Sequence, residues 1–166
     1  MPAMLPLLLL SLPLAATAPA ADPYAPLAYL ADHCWAGEMK GGKDIDTHCF
    51  SWVYDRKFLR DRHVVKGEGH DDYVGETLYY FDSADGKLKY LYIENKGGSS
   101  AGAVELAENA LVFPPTEFQA GGKTQTYRSR WTRRGDEGYD AVTEFKQPDG
   151  GWGGGWNVSM RRQAAP

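Results

Sequence analysis

The chain of 166 residues carries 18 Lys and Arg against 22 Asp and Glu, a formal net charge of −4 at pH 7. So mild an acidic balance gives no general attraction to nucleic acid or to an anionic membrane. The length suits one domain once a processed leader is set aside.

Residues 1–21 hold no ionisable side chain, an apolar run from Leu5 to Leu14, and small residues ending in Ala18-Pro19-Ala20-Ala21. That is the form of a signal peptide with an A-x-A-like cleavage site, and it predicts a periplasmic or secreted protein whose mature domain covers 22–166. The run is too short to span a bilayer and is interrupted by Pro6 and Pro13, so no membrane span is expected. Two cysteines follow, Cys34 and Cys49. In an exported chain an even count favours a disulfide, and without a C-x-x-C pair they do not suggest a metal site.

Beyond the leader, Pro26 to Ala31 is the one candidate for a helical turn. The rest reads as alternating runs rich in β-branched and aromatic residues, each stopped by Gly, Asp, Asn or Pro. The runs are 34–39, 47–54, 58–66, 76–81, 88–94, 103–107, 110–113, 126–133, 139–146 and 156–162, about ten strands. Their connections are short, which makes sequential neighbours antiparallel. Many such strands remove their edges best by closing on themselves, so the expected fold is an all-β up-and-down barrel, with a two-sheet sandwich as the alternative.

A two-residue turn at Gly41-Gly42 would pair positions whose numbers sum to 83, setting Cys34 opposite Cys49 and Trp35 opposite His48. In that register the Cys pair is expected at a hydrogen-bonded site with Cα atoms ~5.5 Å apart, still within disulfide range. Alternation then places Trp35, His48, Phe50, Trp52 and Tyr54 on one face, expected to be the inside.

The run Phe58 to Val65 has no cleanly apolar face: Leu59, Asp61, His63 and Val65 share one side, Phe58, Arg60, Arg62 and Val64 the other. Whichever side points inward buries an ionisable group, which requires a partner such as His48, Glu76, Arg130 or Glu144, or a ligand head group. His48, Asp61 and His63 together have the composition of a proton-transfer site. No H-x-H or HExxH spacing is present, so no metal is expected. No G-x-S-x-G elbow, P-loop or strand-borne G-x-G-x-x-G is present either, and no cofactor is expected. Aromatic residues make up 13% of the chain and recur along the strands at positions such as Tyr90 and Tyr92, enough either to fill a barrel or to line a cavity within it.

The segments Cys34-Trp35-Ala36-Gly37, Asp46 to Tyr54, Phe58 to His63 and Gly75 to Tyr80 resemble an uncharacterised family of exported bacterial proteins with a lipocalin-like, or calycin-like, barrel. The resemblance spans roughly residues 27–162 and implies a central cavity that takes small apolar molecules. The expected function is therefore binding of a small apolar or amphipathic ligand by Trp35, His48, Phe50, Trp52, Tyr54, Asp61, His63, Tyr90, Tyr92 and Arg130. The alternatives are a small barrel enzyme using His48, Asp61 and His63, or a ligand-free structural or stress protein of the envelope.

Overall fold

The computed structural model describes residues 22–39 and 41–164; the expected leader lies outside them. A 3-10 turn at Ala25–Leu27 precedes eleven strands: β1 (Cys34–Glu38), β2 (Asp44–Val53), β3 (Phe58–Gly67), β4 (Tyr73–Asp82), β5 (Lys87–Glu94), β6 (Ser99–Ala103), β7 (Glu105–Ala107), β8 (Ala110–Ala120), β9 (Lys123–Arg134), β10 (Gly138–Lys146) and β11 (Trp152–Arg162). The wall is an antiparallel meander from β1 to β6 and on through β8 to β11, with β7 a side hairpin on β8. Pairing of β6 with β8 and of β1 with β11 closes the ring into a barrel. This is the expected fold, and the sandwich alternative falls.

Four strands differ most from the sequence expectation. Ser99-Ser100-Ala101-Gly102-Ala103 forms β6 although it has none of the residues that favour strands; it fits because its small side chains sit beside large ones, Gly102 lying against the Tyr90 ring. The run expected at 103–107 survives only as the short β7. β8 continues past Pro114-Pro115 through a register shift between Phe113 and Thr116, where a bulge accommodates two residues that cannot donate to the ladder. β11 likewise begins at Trp152 and absorbs its glycines at a shift between Thr143 and Phe145 of β10.

In the first hairpin Cys34 lies opposite Cys49 and Trp35 opposite His48, as the sum rule requires. The hydrogen-bonding phase is the reverse of that expected. Met39 N–H donates to Asp44 and Gly42 N–H to Met39, so the loop is longer than two residues at the same register. The Cys34–Cys49 disulfide therefore occupies a close, non-hydrogen-bonded pair, with Cα atoms 4.0 Å apart.

Within the wall the barrel has two unlike halves. In one, Trp35, Leu59, Tyr139 and Met160 are buried in one cluster with Leu27 and Leu30 from the N-terminal turn, which plugs that end. Tyr24 ties the plug down: its hydroxyl donates to the Lys57 carbonyl and accepts from Phe81 N–H, while Trp35 Nε1 donates to Leu30. The other half holds a cavity of about 430 Å³. Outside, Arg128 pairs with Glu144 and Arg134 with Asp140, and Arg60, Arg62 and Arg130 also point outward. No helix among the described residues is long and apolar enough to cross a membrane.

Free-thiol titration of unreduced, denatured protein should find no reactive sulfhydryl, and reduction should lower stability by roughly 3 kcal/mol in the chain-entropy picture. Two reactive thiols would remove the bridge.

Candidate functional site

The cavity is built by alternation along the strands that enclose it. Because β2 ends its hairpin on the residues 54–57 and pairs Val53 with Phe58, His48 falls opposite His63 and Phe50 opposite Asp61. The inward side of β3 is thus the Leu59, Asp61, His63, Val65 side, while Arg60 and Arg62 face out. Asp61 is 1% exposed, and of the four partners considered from sequence only His48 reaches it, its Nδ1 lying 2.6 Å from Asp61 Oδ2.

On the other edge of His48, Nε2 lies 3.4 Å from Oδ1 of Asp46, two residues earlier on the same face of β2. His63 Nε2 lies 2.8 Å from the same oxygen. The two imidazoles stack with centroids 4.3 Å apart and planes 11° apart, so both present Nε2 to Asp46. The His63 contact is short but poorly aligned with its N–H; both Asp46 Oδ1 and His63 Nε2 are buried without a sound hydrogen bond among the described residues.

Burial alone would push the His48 pKa down, but the Asp61 carboxylate beside it, together with the nearby Asp46, outweighs burial and lifts it to about 10. Burial would likewise raise Asp46, yet its contacts with His48 and His63 hold its carboxyl well below the usual range. The result is an imidazole held between two acidic side chains at the wall of an otherwise apolar space.

Aromatic side chains form the rest of the lining. Tyr79, Tyr90, Phe113 and Trp131 pack edge to face or tilted around the inner end. Two phenol pairs stand above them, Tyr73 with Tyr92 and Tyr90 with Tyr127, each 2.7 Å between hydroxyls. Burial holds the Tyr79, Tyr92 and Tyr127 phenols well above the ordinary range, so they stay neutral. Gly75 makes room for this wall, since a Cβ there would stand 2.6 Å from the Tyr92 ring. Trp156, 40% exposed, and Phe145 line the outer end, where the cavity meets solvent.

Of the expected binding residues, His48, Asp61, His63, Tyr90 and Tyr92 line the cavity. Trp35 and Phe50 face inward but belong to the filled half, and Trp52 packs edge-on against Tyr24 at the plug, so none of the three reaches the cavity. Two expectations are corrected outright. Tyr54 is 78% exposed, because β2 stops at Val53 and residues 54–56 turn through the left-handed region, ending the alternation. Arg130 points outward, because its neighbours Ser129 and Trp131 in β9 take the inward positions. Sequence reasoning missed Asp46, Tyr73, Phe113 and Tyr127. The signal for Asp46 was its place two residues before His48 on an inward face.

Replacing Asp61 by Ala should lower stability by about 3–5 kcal/mol in denaturant unfolding, because it breaks a buried pair and leaves His48 Nδ1 without its partner. Arg130→Ala, on the outer face, should stay within roughly 0.5 kcal/mol of the parent. Equal losses would contradict the inward placement of Asp61 and the outward placement of Arg130.

No protein-family model matches the chain, and no curated protein matches it, so the fold and the geometry of this cavity are what bear on function.

Proposed function

We propose that the protein is an exported binding protein of lipocalin-like type that holds one small, partly apolar molecule in the open half of its barrel. The observation that carries this reading is the coexistence of a plugged, fully packed half and a cavity of about 430 Å³ walled by aromatic rings and phenol hydroxyls. A barrel stabilised for its own sake gains from packing that volume, whereas a concave apolar space with a few convergent polar groups is the common form of a ligand site. The size accommodates a molecule of one or two rings, its flat faces against Phe113 and Trp131 and its polar end towards the tyrosine hydroxyls or the His48 cluster. Export is supported by the leader-like residues 1–21 and by the Cys34–Cys49 bridge, which persists in oxidising compartments.

An apolar fluorescent probe should bind saturably with a stoichiometry of one per chain. Ala141→Phe, which projects a ring into the cavity from β10, should weaken that binding at least tenfold (about 1.4 kcal/mol). Trp35→Ala, in the packed half, should instead lower stability by about 3–5 kcal/mol and leave probe affinity close to the parent. Non-saturating binding, or indifference to Ala141→Phe, would reject the carrier reading and leave a structural barrel.

A further inference from the structure

We propose that Asp46, His48 and His63 form a binding site for one divalent first-row transition-metal ion, oriented by Asp61 from behind and open towards the barrel cavity. The three donor atoms, Asp46 Oδ1, His48 Nε2 and His63 Nε2, lie within 4.8 Å of one another. Two imidazole nitrogens and one carboxylate oxygen are the donors that suit zinc or iron(II) and are poorly matched to calcium or magnesium.

The spacing fits. Ligands ~2.0–2.1 Å from an ion are about 2.9 Å apart at right angles and about 3.4 Å apart in a tetrahedron. Asp46 Oδ1 stands 2.8 Å from His63 Nε2 and 3.4 Å from His48 Nε2. Hydrogen bonding does not account for the cluster as well. Asp46 is 6% exposed, and its Oδ1 and the His63 Nε2 are buried without an aligned partner, an expensive arrangement unless a third party takes both lone pairs. Behind the cluster, Asp61 Oδ2 accepts from His48 Nδ1 at 2.6 Å, which fixes the ring and leaves Nε2 as its free donor. A carboxylate behind a ligating histidine is the usual outer support of such sites. All three ligands line the cavity, so the remaining coordination positions face the space in which a small molecule would sit.

Chelator-treated full-length protein titrated with Co²⁺ should develop visible d–d absorption that saturates at one equivalent, and calorimetry with Zn²⁺ should give the same stoichiometry. Asp46→Asn and His63→Gln should each weaken Co²⁺ binding at least 100-fold, and Asp61→Asn roughly 10- to 100-fold. His70→Gln, at an exposed histidine that contacts Asp44 outside the cavity, should leave it unchanged. Should a site variant fail to fold, the parent decides alone: the titrating ion should shift the side-chain nitrogen resonances of His48 and His63 and not those of His33 or His70. Absence of saturable Co²⁺ and Zn²⁺ binding up to millimolar ion, or binding that moves only His70, would overturn the proposal. Probe binding by the chelator-treated protein is a separate readout, so the metal site and the ligand-carrier reading can fail independently.

Discussion

A carboxylate almost wholly removed from water, Asp61, is the constraint to which the inner surface of this barrel answers. An isolated buried charge of that kind is prohibitive, and the outward arginines of its own strand cannot help it because alternation turns them away. Compensation has to come from the neighbouring stave, and the β2–β3 register supplies it by bringing His48 within reach. On its far edge His48 meets a second acidic side chain, Asp46, from the same strand face. The polar cluster is thus a chain of obligations that begins with one residue and ends at the cavity wall.

The same register organises the apolar part. With Asp46, His48 and Phe50 inward, the disulfide is forced to the outer side of the wall, where it locks β1 to β2 without occupying the interior. Trp35 then meets Tyr139, and Tyr139 stacks on Trp131, linking both ends of the meander through one aromatic column. The N-terminal turn completes this half, and its closure is what leaves the remaining space at one end only.

Much of this was legible in the chain. Strand number, the Cys34–Cys49 pair and the inward placement of His48 follow from alternation and from the summed positions about Gly41-Gly42, which are local properties. Staves made of small residues were not legible: Ser99 to Ala103 forms a strand because bulky neighbours need it thin, a fact about partners and not about the segment. Tyr54 failed for a related reason, since alternation predicts a face only while the chain remains extended, and three consecutive left-handed residues end it. The cavity itself depends on which aromatic rings lie at which height along the barrel axis. That height is set by register between strands far apart in sequence, so Phe113 and Tyr127 carried no local mark of their position.

The seams of the ring have a kinetic meaning. From β1 to β6 and from β8 to β11 every stave pairs with its neighbour in sequence, so each addition closes only a short loop. The β1–β11 seam alone joins the two ends of the chain, and it does so through Trp35 with Arg162 and Ala36 with Arg161. The entropy of bringing such distant segments together is therefore concentrated at one seam that little ladder bonding rewards. Burial of Trp35 against Tyr139 and Met160 is the compensation at that seam, and it makes the indole a latch: barrel closure and completion of the packed half are a single cooperative step.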